Sequence, residues 1–147
     1  MPLSEEEIYL GTVAYFEPTV LHRDKDIEVT GDPVTRDGPF VCYAISEAKS
    51  KWTPLTSEDK FMTNRKTGES FSVRVRIRPE WVARAYGLFA AGESFFQDGK
   101  NTYSGANATF IAAAAKIDIQ TPETRPALNE DGLKAARDYI ARRGGAL

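Results

Sequence analysis

Three arginines at alternate positions dominate the stretch ESFSVRVRIRPEW, residues 69–81. In an extended chain successive side chains point to opposite faces. Arg74, Arg76 and Arg78 then share one face with Ser72, while Phe71, Val73, Val75 and Ile77 share the other. Like charges along one face repel, so the pattern asks for an anionic ligand lying across it, or for carboxylates on a neighbouring strand. Lys60, Arg65 and Lys66 lie just upstream, and over residues 60–78 these cations meet a single acid, Glu69. The whole chain carries a net charge of −2. The result is a basic patch on a mildly acidic protein, not a generic polyanion binder.

Holding a polyanionic strand without reading its sequence takes cations for the phosphates and aromatic rings for the bases, at about 1–3 kcal/mol per stacked base. Trp52, between Lys51 and Thr53 in a polar stretch, is the first candidate ring. Phe61 and Tyr103 border the same region. Trp81 falls at apolar helical spacing and reads as core. Phe95 and Phe96 point in opposite directions, one into the core and the other outward or to an interface.

Other chemistries find little footing. The one cysteine, Cys42, lies inside the apolar run PFVCYAIS and has no partner for an internal disulfide. The one histidine, His22, sits in the polar LHRDKD, which leaves no zinc-ligand set. There is no phosphate-cradling P-loop, dinucleotide-binding glycine motif or nucleophile elbow. The expectation is a protein that needs no metal or cofactor and performs no catalysis.

These residues need elements to position them. At 147 residues, with 41% hydrophobic and 27% charged side chains, the chain reads as one globular domain plus a tail. It has no run near the roughly 18–20 apolar residues that span a bilayer. Its first segment, MPLSEEEIYL, is acidic where a secretory leader is basic and then apolar, so a cytoplasmic location is expected. Strands are expected over 7–16, over 39–46 and along the arginine stretch, with a short one at 27–30. Residues 50–71 read as a long mobile hairpin with its tip at NRKTG. Pro79 opens a helix carrying Trp81, Val82, Ala85, Leu88 and Phe89 on one face, and Gly92 ends it. Two further strands follow: 93–104, interrupted at Asp98-Gly99, and 108–120. After the linker TPETRPA, Asn129 caps a helix that ends in Arg142, Arg143 and Gly144.

Three strands, a helix and two strands is the order of a five-stranded OB-fold barrel, whose strand 2–3 face binds oligonucleotides. The expected fold is therefore mostly β. A barrel over residues 1–120 holds a helix between its third and fourth strands, and residues 121–147 form a linker and a C-terminal helix. The chain also resembles the bacterial-type single-stranded-DNA-binding protein family, over roughly residues 37–120. The likeness is carried by DGPFVCYAISEAKSKW, NRKTGESFSVRVRI and PEWVARAYGLFAAGESFFQDG, in that order. A letter-for-letter match puts Phe71 where the family has a stacking tryptophan and turns Arg74 and Arg76 inward. Burying unpaired arginines is too costly, so the pleat is followed instead. The resemblance implies sequence-independent coating of single-stranded DNA in replication, recombination or repair. Its contacts would be Trp52, Lys60, Phe61, Arg65, Lys66, Arg74, Arg76, Arg78 and Tyr103. It also implies a homodimer or homotetramer. The chain departs from the family in its long 17–37 connection, in Ala91 where the family has lysine, and in ending RRGGAL without an acidic recruitment tip.

Two rivals remain. GPFVCYAIS and KWTPLTS are similar to segments of toxin ribonucleases of the PemK/MazF type, in which case Arg36 and Thr56 would serve cleavage. The other is an OB-fold module that binds protein.

Overall fold

In the computed structural model, residues 3–85, 87, 89, 93–115, 121 and 123–147 are described. The chain begins with a single 3₁₀ turn at Glu5–Glu7, followed by β1 (Val13–Phe16), α1 (Pro18–Arg23), β2 (Glu28–Thr30), β3 (Gly38–Ser46) and β4 (Lys49–Thr56). Next come β5 (Phe61–Thr63), β6 (Ser70–Ser72), β7 (Val75–Arg76), a 3₁₀ turn at Pro79–Trp81 and β8 (Val82–Arg84). The chain closes with β9 (Phe95–Phe96), β10 (Thr102–Ala106), α2 (Asn107–Ala113), β11 (Ala127–Leu128) and α3 (Glu130–Arg143).

The principal sheet is antiparallel, in the order β1-β3-β4-β10-β2. β4 divides its length between two partners. Its first half pairs with β10, Trp52 opposite Tyr103, and its end pairs with β9, Leu55 opposite Phe96. β9 in turn carries β7. The ladder does not return on itself: among the described residues neither β2 nor β7 pairs with β1. The expected OB-fold barrel is therefore corrected to a mixed α/β fold around an open sheet, with separate two-stranded ladders β8–β11 and β5–β6.

Side-chain alternation along β1 and β3 divides the core into two layers. Phe16, Phe40 and Cys42 face one side, where Trp52, Tyr103, Leu21 of α1 and Phe110 and Ala113 of α2 complete a cluster. Val13 and Val41 face the other, with Leu55, Ile77, Phe96, Leu128 and the α3 residues Ala136 and Tyr139. Phe16 is the hub of the first layer, edge-on to Trp52 at 4.8 Å and to Phe110 at 5.6 Å between ring centroids. Full burial of each such ring contributes roughly 1.5–3 kcal/mol.

Four local expectations give way to packing. The stretch 50–71, expected to be a mobile hairpin, holds nearly all of β4, a central strand, because Trp52 is needed inside. The helix expected after Pro79 opens as a 3₁₀ turn, Pro79–Trp81, but gives way to β8, in which Val82 and Arg84 pair with Leu128 and Ala127. Of that expected helix, Tyr86, Leu88 and 90–92 lie outside the described residues. The strand expected over 108–120 is α2 up to Ala113, where alanine's helix propensity and burial of Phe110 and Ala113 agree; residues 116–120 lie outside the described set. Phe95 and Phe96 are both buried, because β9 lies between β4 and β7 and is covered by α3.

Helix α3 starts on Asn129, whose Oδ1 accepts from the Gly132 N–H at 3.0 Å, and stops at Gly144 in the left-handed region, φ 80°. Its buried Leu133, Ala136, Tyr139 and Ile140 pack on this chain's own sheet. Among the described residues no helix is long and apolar enough to cross a membrane.

Candidate functional site

The pleat of the arginine stretch breaks at Val73–Arg74, between β6 and β7, and the break sends its cations to different places. Beyond it the alternation survives in part: Ile77 is buried, Val73 and Val75 are half-buried, and Arg76 and Arg78 are exposed. Phe71, before the break, is 48% exposed. The Arg76 guanidinium lies over the Phe95 ring at 5.2 Å, and that of Arg78 over Trp81 at 5.4 Å. Arg74 alone turns into a groove. No common arginine face exists.

The groove encloses about 710 Å³ and is open to solvent along one side. Its first wall is the connection from β2 to β3, with Asp32, Arg36 and Asp37. That wall is pinned from beneath, since the Val34 N–H donates to the Tyr103 phenolic oxygen at 2.9 Å, and the same oxygen meets His22 Nε2 at 3.0 Å. The opposite wall is the end of β4 and the chain beyond it, with Thr56, Glu58 and Lys60. The floor combines Phe40, Pro54 and Leu55 with the β9–β10 connection and the last turn of α3.

Arg74 is the best-anchored cation here. Its Nε donates to the Gln97 carbonyl at 3.0 Å and its Nη1 to the Glu58 carbonyl at 2.5 Å. Both acceptors are neutral carbonyls, so the guanidinium is fixed in place, and among the described residues no carboxylate lies at ion-pair distance from it. Its remaining N–H groups form a fork suited to an oxyanion. Tyr139 stands beside it, donating from Oη to the Val73 carbonyl at 3.1 Å. Burial pushes the Tyr139 phenol up, and Asp98 adds to this; the positive fields of Arg143 and Arg74 pull the other way.

The second anchored group is Asn101, 3% exposed and part of the lining. A turn at 98–101 sets it: the Asn101 N–H donates to the Asp98 carbonyl at 2.9 Å, and its own carbonyl accepts from Thr53 Oγ1 at 2.8 Å. Its side-chain Oδ1 is buried with no hydrogen-bond partner, a condition that costs about 1–3 kcal/mol. Gly99 of this turn sits directly against the end of α3. A Cβ there would lie 2.6 Å from Arg143 Cγ and 2.7 Å from the Tyr139 carbonyl, so only glycine lets the end of α3 approach and bring Arg143 to the rim.

Four cations (Arg36, Lys60, Arg74, Arg143) and four carboxylates (Asp32, Asp37, Glu58, Asp98) line the groove. It is charge-balanced, with Arg74 the cation fixed at its wall. Of the residues singled out in the sequence, it gathers Lys60 and Arg74, together with Arg36 and Thr56 from the nuclease-like segments. The rest lie elsewhere. Trp52 and Tyr103, expected to stack bases, are fully buried in the first core layer; Trp52 Nε1 donates to Ser50 Oγ at 2.8 Å. Phe61, Arg65 and Lys66 belong to the β5–β6 hairpin. Asn101, Gln97 and Arg143 went unrecognised in the sequence. Asp98-Gly99 marked the turn that carries Asn101, but nothing in the sequence brings α3 to it.

No protein-family model matches this chain, and no curated protein or solved structure matches it significantly. The resemblance of residues 37–120 to single-stranded-DNA-binding proteins therefore finds no independent support. Coating single-stranded DNA through an OB-fold is corrected by the open sheet, which lacks the barrel face that mechanism requires, and with it go the roles in replication, recombination and repair.

Proposed function

We propose that the groove binds a small organic anion of about nucleotide size, held by a phosphate or carboxylate head against Arg74, and that the protein acts by binding rather than by chemical conversion. One observation carries this reading: a guanidinium fixed by two backbone carbonyls, with no carboxylate partner among the described residues, on the wall of a cleft of about 710 Å³. That volume lies within the roughly 300–1,000 Å³ typical of small-molecule sites. The apolar floor of Phe40, Pro54 and Leu55 supports a flat or ring-bearing ligand. Charge balance across the lining favours a compact ligand of limited charge over a long polyanion.

The binding role rests on the fixed guanidinium, and among the described residues the lining contains no histidine or cysteine. The Cys42 thiol lies in the core, pushed up to about 12 chiefly by burial, and is no nucleophile at neutral pH. A cytoplasmic setting belongs to the same reading, since the single cysteine is a free buried thiol that needs no oxidising compartment.

The test is thermal unfolding with pyrophosphate, citrate and the four ribonucleoside monophosphates, on wild type and on Arg74→Met. A ligand at about a hundred times its Kd adds about 2.7 kcal/mol, a shift of several degrees. One probe should give this shift in wild type and lose it in Arg74→Met, and should be recovered unchanged by mass spectrometry. No shift with any probe, or an equal shift in the variant, overturns the assignment. A converted probe overturns its non-catalytic part.

A further inference from the structure

The β5–β6 hairpin stands apart from both core layers. Phe61, Met62 and Phe71 are 63%, 54% and 48% exposed; among the described residues, these are three of only six large apolar side chains so exposed, gathered within eleven positions. Clustered apolar exposure marks a contact surface. The hairpin is also well formed. Its strands pair Phe61 with Ser72 and Met62 with Phe71. Its tip is closed by the Asn64 N–H on the Glu69 carbonyl and the Lys66 N–H on Asn64 Oδ1, 2.8 and 2.9 Å. Such preorganisation lowers the entropic cost of docking.

We propose that this hairpin is the docking element for an acidic polypeptide that grips it on both faces. Paired residues share a face and neighbours alternate, so Phe61 projects from one side and Met62 with Phe71 from the other. A partner must enclose the hairpin to cover all three. At the tip Arg65 and Lys66 outnumber Glu69, whereas at the root Lys60 is matched by Asp59, which accepts from Ser72 Oγ at 2.5 Å, so the enclosing surface carries its carboxylates toward the tip. The same geometry disfavours the other anionic occupants. A bilayer approached tip-first would meet the charged turn before any apolar side chain. A nucleic-acid strand could not stack on two rings that face opposite ways.

The probe is a random copolymer of glutamate and tyrosine, titrated into the full chain at low and high salt beside poly-glutamate, phosphatidylserine vesicles and oligo-dT. The copolymer should bind tightest, poly-glutamate weaker by about tenfold or more, and salt should weaken both. Phe61→Ser with Phe71→Ser, and separately Arg65→Glu with Lys66→Glu, should each lower copolymer affinity about tenfold while unfolding temperature stays near wild type. Arg74→Met should leave it unchanged, which keeps this result separate from that of the groove. No copolymer binding, equal binding of poly-glutamate, tighter binding of vesicles or oligo-dT, or insensitivity to both double variants overturns the proposal.

Discussion

Replacing Trp52 by alanine separates a core tryptophan from a base-stacking one. The indole is fully buried, 4.8 Å from the Phe16 centroid and 5.7 Å from that of Phe110. Truncating a buried tryptophan costs about 3–5 kcal/mol, and edge-to-face aromatic pairs carry about 0.5–1.5 kcal/mol beyond their burial. Its Nε1–H also serves Ser50, whose hydroxyl is 1% exposed and would lose its donor. The upper part of the range is therefore expected. For a chain near 150 residues, each kcal/mol moves Tm by about 2–4 °C, so Trp52→Ala should unfold roughly 10 °C or more below wild type. Scanning calorimetry with a urea titration reads this directly, and Trp52→Phe should recover much of the loss. A Trp52→Ala protein within about 2 °C of wild type would refute the layer assignment and with it the register of β4.

Alkaline pH should destabilise the fold from about 9 upward. Burial raises the Cys42 thiol from 9.0 and the Tyr43 phenol from 10.0, both to about 12, so the unfolded chain ionises first. Their contribution is intact below the unfolded values and is lost as pH rises through the folded ones; urea midpoints at pH 8, 10 and 11 should fall in that order, less steeply in Cys42→Ala. The pair between Arg125 and Glu7, 2.7 Å long with side chains 2% and 14% exposed, ties the first turn to the segment before β11. Glu7→Ala removes the carboxylate that faces this buried guanidinium and should cost about 3 kcal/mol in urea unfolding; a loss below about 0.5 kcal/mol would show the pair to be solvated. Gly11 takes φ +88°, and a Cβ there would meet the Leu128 carbonyl oxygen at 2.4 Å. Gly11→Ala should therefore destabilise by about 2 kcal/mol or more, whereas Gly68→Ala, at φ +75° with open space around it, should cost about 1 kcal/mol, both by calorimetry.

What could be read from the chain and what could not divides along local and non-local lines. β3, the hairpin tip at NRKTG and the capped helix 130–143 are legible because their signals are short-range: a β-rich run, a glycine at positive φ, an Asn cap and a Gly stop. The central strand β4 hid behind Lys51 and Thr53, whose polarity masks a tryptophan that packs with rings 36 and 58 residues away. The arginine stretch misled because its alternation is real but the pleat is not continuous across Val73–Arg74. The two halves pair with different strands, β6 with β5 and β7 with β9. The groove is the least legible part. It needs the 32–40 connection, the end of β4, the 97–101 turn and α3 at once, and only tertiary packing assembles them.

The central claim is that the Arg74 groove is a ligand site, and side-chain NMR tests it most directly. ¹H–¹⁵N spectra of the Arg74 Nε–H and the Asn101 side-chain amide would be followed while adding the probe that gives the largest thermal shift. Both signals should move together and saturably, with the Phe61 and Phe71 amides of the hairpin unmoved. Binding that leaves Arg74 and Asn101 in place, with shifts confined to other surfaces, would contradict the claim.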